Sequence, residues 1–90
     1  MKLFRLSVVT GEATVFDGQV ECVNLPTGFG SIGVLANHAP MLCAVKKGVL
    51  RITREGEPKL RIAVSDGIAN VADNEATVLV SQAEILDAEN

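Results

Sequence analysis

The stretch Gly28-Phe29-Gly30-Ser31-Ile32-Gly33-Val34-Leu35-Ala36-Asn37-His38-Ala39-Pro40 breaks the rhythm of a chain that otherwise reads as short strands and tight turns. It holds three of the eight glycines, the single histidine and one of the three prolines. Gly28, Gly30 and Gly33 spell G-x-G-x-x-G. That spacing can cradle a dinucleotide pyrophosphate when a strand leads in and a helix leads out. The helix is required because its N-terminus supplies free N–H groups and positive partial charge. No helix fits here, since only six residues separate Gly33 from Pro40 and they include Asn37 and His38. Glu55 stands about 20 residues on, where a ribose-binding acid is wanted, but it belongs to a turn signal. The glycines are better read as permitting φ > 0 and close backbone approach in an irregular surface loop, with residues 31–35 extended. Asn37-His38-Ala39-Pro40 then turns the chain, and Pro40 pushes Ala39 into an extended conformation.

On either side of this stretch the period is two. Residues 2–10 predict a strand, with Phe4, Leu6 and Val8 alternating with Arg5 and Ser7. Gly11-Glu12 turns it, and Asp17-Gly18 is a second turn signal that predicts residues 19–25 as a returning strand ended by Pro26. Downstream, residues 41–45 predict a strand closed by Lys46-Lys47-Gly48. Leu50 and Ile52 alternate with Arg51 and Thr53, and Leu60, Ile62 and Val64 alternate with Lys59, Arg61 and Ala63. These two runs form a hairpin around Glu55-Gly56-Glu57-Pro58, and the charges on it are expected on a solvated face. Residues 68–71 and 76–80 are further strands joined by Asp73-Asn74. Residues 81–90 carry Ala83, Glu84, Leu86, Ala88 and Glu89, which favour helix, but the segment is too short for a stable one. It is expected to be a frayed tail with at most one helical turn. Eight to ten short strands at this spacing predict an all-β antiparallel sandwich or flattened barrel, comprising residues 1–82 with a short C-terminal tail at 83–90.

Ninety residues with 48% hydrophobic content fit one domain and are too apolar for disorder. A net charge of −3 and a pI near 5.0 leave no basic stripe to neutralise phosphates, which argues against a nucleic-acid partner. The three aromatics are Phe4, Phe16 and Phe29, too few for a stacking platform. Cys22 and Cys43 form no C-x-x-C pair and, with one histidine, no zinc set. They are expected to be small buried hydrophobes in a reducing compartment. Arg5 interrupts the apolar start, so no signal peptide is read there, and no apolar run approaches the roughly 20 residues of a membrane helix. A soluble protein is expected.

Catalysis would have to use His38 as base, Cys43 as nucleophile and Asp66 or Asp17 as orienting acid. His38 and Cys43 are five residues apart in an extended segment, on opposite faces of a regular strand. No Walker P-loop, EF-hand or His-Glu-x-x-His run is present. The residues alone therefore describe an acidic β-domain that binds a partner through a loop and a sheet face, with no cofactor and no metal.

Several segments resemble the epsilon subunit family of rotary ATP synthases (delta in mitochondria). Gly30-Ser31-Ile32-Gly33-Val34 leading to His38-Ala39-Pro40, and then Lys47-Gly48-Val49-Leu50-Arg51-Ile52, match that family's G-x-x-G-(I/V) and His-Ala-Pro core in register. Leu6-Ser7-Val8-Val9-Thr10-Gly11-Glu12, Phe16-Asp17-Gly18-Gln19-Val20-Glu21, Val64-Ser65-Asp66-Gly67-Ile68-Ala69-Asn70-Val71 and Thr77-Val78-Leu79-Val80 resemble further family segments, so the likeness covers nearly the whole chain. It implies a ten-stranded β-sandwich and a non-catalytic rotor piece at the foot of the central stalk. Such a piece binds the gamma subunit, rests on the ring of c subunits, and couples proton or sodium flow to ATP synthesis. It implies a peripheral position on the cytoplasmic face of a bacterial inner membrane. Thr10, His38 and Cys43 match gamma-facing positions. Phe29, Gly30 and Ser31 match the ring-facing loop, with Ser31 where an acid is frequent. Family members usually continue into two helices that can inhibit ATP hydrolysis, and some bind ATP at an (I/L)-D-x-x-R-A motif. Leu86 and Asp87 match its start, but Asn90 stands at the arginine position. A short form without the helical hairpin is therefore expected, with neither ATP binding nor helix-based inhibition. The competing reading is an unrelated β-sandwich interaction module.

Overall fold

Alternating apolar residues need a surface to bury against, and here each sheet supplies it to the other. A computed structural model describes residues 2–89. It contains ten strands: β1 (Phe4–Val9), β2 (Thr14–Val20), β3 (Cys22–Thr27), β4 (Gly30–Leu35), β5 (Met41–Val45), β6 (Gly48–Thr53), β7 (Lys59–Val64), β8 (Gly67–Ala72), β9 (Glu75–Val80) and β10 (Ala83–Glu89). They form two five-stranded sheets, ordered β2-β1-β9-β8-β5 and β10-β7-β6-β3-β4. The sheets are not closed into a barrel, so the fold is a sandwich. Pairing is antiparallel except between β1 and β9, which run parallel.

The core follows the period-two reading. Phe4, Leu6 and Val8 of β1, Leu50 and Ile52 of β6, Leu60, Ile62 and Val64 of β7, and Ala76, Val78 and Val80 of β9 are all buried. Among the described residues none of the buried ones is polar or charged. Cys22 and Cys43 are free and half-buried, and burial pushes both thiols above their ordinary value of 9.0.

Turn chemistry places the hairpins. Thr10 accepts the amides of Glu12 and Ala13 on its Oγ1 at 3.2 and 3.1 Å, closing the β1–β2 turn. Asp73 and Asn74 both take left-handed backbone angles, φ 53 and 60°, as a two-residue hairpin between twisted strands requires. Gly67 begins β8 where the chain crosses from one sheet to the other. A Cβ there would lie 2.7 Å from Val80 Cγ1 and 2.8 Å from Val80 Cα, and would press on the Leu79 carbonyl oxygen.

Four local expectations are corrected. Asp17-Gly18 is no turn. Both residues lie inside β2, opposite Ser7 and Leu6, and Arg5 holds Asp17 through two hydrogen bonds of 2.9 and 2.8 Å. The break comes instead at Glu21, whose amide donates to the Thr53 carbonyl at 2.8 Å as the chain changes sheets. Pro26 does not end its strand, because its neighbours pair with β4 and its own carbonyl accepts the Lys46 amide at 2.9 Å. The glycine-rich stretch is a β3–β4 hairpin and not an irregular loop. Finally, residues 83–89 are a strand and not a frayed tail or helical turn. β10 pairs antiparallel with β7, with a register shift between Ile85 and Asp87 that bulges Leu86. Helix propensity loses here to the open ladder of β7, a tertiary partner that no local window contains. Asn90 lies outside the described residues.

β10 is fastened at both ends of its pairing. Ser65 Oγ accepts the Gln82 amide at 2.8 Å, and Arg61 donates to both oxygens of Asp87 at 2.7 Å. Gly67→Ala should lose about 2 kcal/mol or more in urea unfolding, because the clash is with backbone and a buried side chain. An unchanged midpoint would remove the close approach as a constraint. The guanidinium of Arg61 holds Asp87 below its ordinary value of 3.8. A carboxyl depressed on folding adds stability that is complete above its unfolded value and is lost as pH falls through its folded value. Melting temperature followed from neutral pH into acid should therefore fall less steeply for Asp87→Asn than for the native chain below about pH 4. Superimposable acid limbs would show that the pair contributes nothing there.

Candidate functional site

The glycine stretch presents a hairpin tip. Thr27 faces Gly30 across the β3–β4 pair, and Gly28 and Phe29 make the turn. Thr27 Oγ1 accepts the Phe29 amide at 3.2 Å and donates to the Gly30 carbonyl at 2.5 Å, with Gly30 at φ 103°. The tip is thus braced, yet the Phe29 ring is fully exposed at 102%. Ser31 is exposed on β4 beside it. Gly33 is followed by more of β4, so the G-x-G-x-x-G spacing here meets no helix N-terminus.

Thr10, His38 and Cys43 are not gathered into one cluster. β1 runs parallel to β9, and β8 and β5 alternate direction beyond it. Thr10 therefore lies past the end of β1 at one end of the sheet, while His38 precedes β5 at the other. His38 is half-buried, with Nδ1 2.7 Å from the Ala39 carbonyl oxygen. Its loop is clamped by Asn74, which accepts the Asn37 amide on Oδ1 at 2.8 Å and donates from Nδ2 to the Leu3 carbonyl at 3.0 Å. Cys43 lies between them on β5, with its side chain packed against the core.

This arrangement offers no nucleophile and base together. Cys43 faces inward with a raised thiol value, and Asp17 is taken by Arg5. Asp66 accepts the Lys47 amide at 2.8 Å. Among the described residues no three metal-ligating side chains come together.

The outer face of the β1-containing sheet is unusual. Register aligns Ala44 of β5, Ile68 of β8, Leu79 of β9 and Val9 of β1 in one row. The row crosses about 14 Å at the usual 4.7–4.9 Å strand spacing. Leu42 stands one pleat away, opposite Asn70. Leu42 is 71% exposed, Ile68 49% and Leu79 45%. The other sheet turns a different surface outward, with Asn24, Arg51, Arg61 and Asp87 aligned across four strands. The β1-containing sheet thus carries an outward apolar row beside polar rows that include Ser7, Asn70 and Thr77, and an exposed apolar patch rimmed by polar residues marks an interaction surface. Sequence reading missed it because reading residues 41–45, 68–71 and 76–80 as strands does not assign their faces. The signal was present in Val78-Leu79-Val80, a continuous apolar run of the kind found in strands covered on both faces.

Comparison with known proteins agrees with this architecture. The model of the ATP synthase delta/epsilon chain beta-sandwich domain matches residues 3–86. The ATP synthase epsilon chain of Desulfitobacterium hafniense (strain DSM 10664 / DCB-2) is 43% identical over 81 residues, 90% of this chain and 61% of its own length. That of Prochloron didemni is 45% identical over 83 residues, 92% of this chain and 60% of its own. The chloroplastic epsilon chain of Atropa belladonna is 47% identical over 80 residues, 89% and 59% respectively. The chain thus spans about three-fifths of the length of these relatives. Among solved structures, a chain of the Euglena gracilis mitochondrial ATP synthase superposes with a TM-score of 0.86 at 24% identity, over 92% of this chain and 53% of that one. A chain of the Tetrahymena thermophila mitochondrial ATP synthase central stalk and c-ring gives 0.74 at 17% identity, over 89% and 64%. These two likenesses concern the fold.

Proposed function

The chain belongs to the ATP synthase delta/epsilon family, and on that premise we propose that it is a non-catalytic rotor subunit of the central stalk. In this reading it binds gamma and the c-subunit ring and couples ion translocation to ATP synthesis. The observation that carries the reading is the outward apolar row Ala44–Ile68–Leu79–Val9, exposed at all but the half-buried Val9, with exposed Leu42 beside it. Gamma covers that face. Thr10 and His38 stand at its opposite corners and contact gamma at the rim, and Cys43 supports the β5 edge from beneath. The braced tip of Phe29, Gly30 and Ser31 meets the ring.

Each part follows from what the domain must do mechanically. A coupling element between ring and shaft must not yield, and two sheets packed with no buried polar residue among those described form a stiff body. No chemistry is asked of it in this reading. Direct nucleotide binding is not part of the proposal, because Asp87 is occupied by Arg61. The chain is peripheral to the membrane through its complex. In a bacterium that is the cytoplasmic face of the inner membrane, and chloroplast relatives extend the family to another membrane.

Titration calorimetry with isolated gamma tests the reading. Tight one-to-one binding is expected. The double change Leu42→Thr with Ile68→Thr keeps strand-favouring residues at exposed positions and should weaken binding about tenfold or more, with the melting temperature little changed. His38→Ala should weaken it by a smaller factor. Full affinity in the double variant would move gamma off this face, and no binding by the native chain would leave an interaction module of another kind.

A further inference from the structure

The hairpin tip carries one contact that the ring reading does not by itself specify. Residues 27–31 bear no charge, yet a cation lies alongside them. The Lys46 amide donates to the Pro26 carbonyl at 2.9 Å, which ties the β5–β6 turn to the base of the tip. From there the side chain runs past the turn, and its Cε lies 3.9 Å from the place a Cβ on Gly28 would occupy. Lys46 is exposed, and no carboxylate of the described residues pairs with it. The other charges at this end have their own surroundings. Asp66 receives the Lys47 amide, Lys47 lines a separate groove with Ser65, Gln82 and Glu84, and Glu12 belongs to the β1–β2 turn.

We infer that Phe29 and Lys46 act as one recognition element for a protein loop that presents an apolar notch beside a carboxylate. Phe29 fills the notch and the Lys46 ammonium meets the acid. The inference rests on the reading that this tip meets the c-subunit ring, and it adds the chemistry of the ring surface. Two features favour it. An aromatic ring on a braced turn loses little conformational freedom on binding, so its burial is retained as affinity. A single unpaired lysine next to it adds specificity by charge complementarity and gives salt dependence. A bilayer surface is a poorer fit, because stable attraction to anionic lipid takes a cluster of basic residues, and Glu12 and Asp66 share this end of the sandwich.

The test uses the chain bound to gamma, with purified c-ring in nanodiscs of uncharged lipid, at low and at raised salt. Phe29→Ser and Lys46→Glu should each weaken ring binding about tenfold or more. Lys46→Gln should weaken it less and flatten the salt dependence, and gamma affinity should be unchanged in all three. If Phe29→Ser weakens binding while Lys46→Glu binds as well as the native chain or better, the carboxylate is wrong and the ring reading stands. If neither change affects ring binding, the tip does not meet the ring and both fail. Binding to ring-free vesicles of anionic lipid that is lost in Lys46→Glu would reassign the element to the membrane and overturn the inference.

Discussion

The burial of one face of each sheet against the other is the constraint on which this domain depends. β1, β6, β7 and β9 commit alternate residues to the interior, and no buried residue is polar among those described. No buried polar side chain among those described fixes the register, so side-chain shape, the turns and the ion pairs on the outer faces do it. Removing a large side chain such as Leu50 or Ile62 from such a core costs about 2–5 kcal/mol, a large part of a small domain's stability. The same close packing makes the domain a stiff body.

The polar groups are arranged around that core and position the surface features. Asn74 takes a left-handed angle in the β8–β9 turn and ties together Leu3 and Asn37, so the loop carrying His38 is set by a residue 36 positions away from it in sequence. Thr27 and Lys46 brace the exposed tip. Arg5–Asp17 and Arg61–Asp87 lie on outer faces, where solvent screens them, and their geometry holds strands in register more than it adds energy. The two outer faces consequently differ: one carries the apolar row beside the Arg5–Asp17 pair, the other the aligned Asn24, Arg51, Arg61 and Asp87.

The candidate site was legible in the sequence only in part. Gly28 to Pro40 announced an unusual segment, and the structure puts Phe29 at an exposed tip and His38 in an anchored loop. The row Ala44–Ile68–Leu79–Val9 was not legible, because a strand position can be apolar whether another sheet or a partner covers it. Only cross-strand register shows that these four residues align on the uncovered face. Lys46 was read as part of a closing turn, and its closeness to Gly28 depends on the crossing between sheets.

The sequence by itself determined the all-β class, the inward residues of β1, β6 and β7, the Asp73-Asn74 turn and the family, since each rests on local period, local turn chemistry or a matching motif. Tertiary structure alone decided that Asp17-Gly18 runs straight through β2, that β1 lies parallel to β9, and that residues 83–89 close the edge of β7 as a strand. The physical reason is the same in each case. A turn signal or a helix propensity is worth a fraction of a kcal/mol to about 1 kcal/mol, and a ladder of hydrogen bonds to a strand distant in sequence, with the burial that accompanies it, outweighs it.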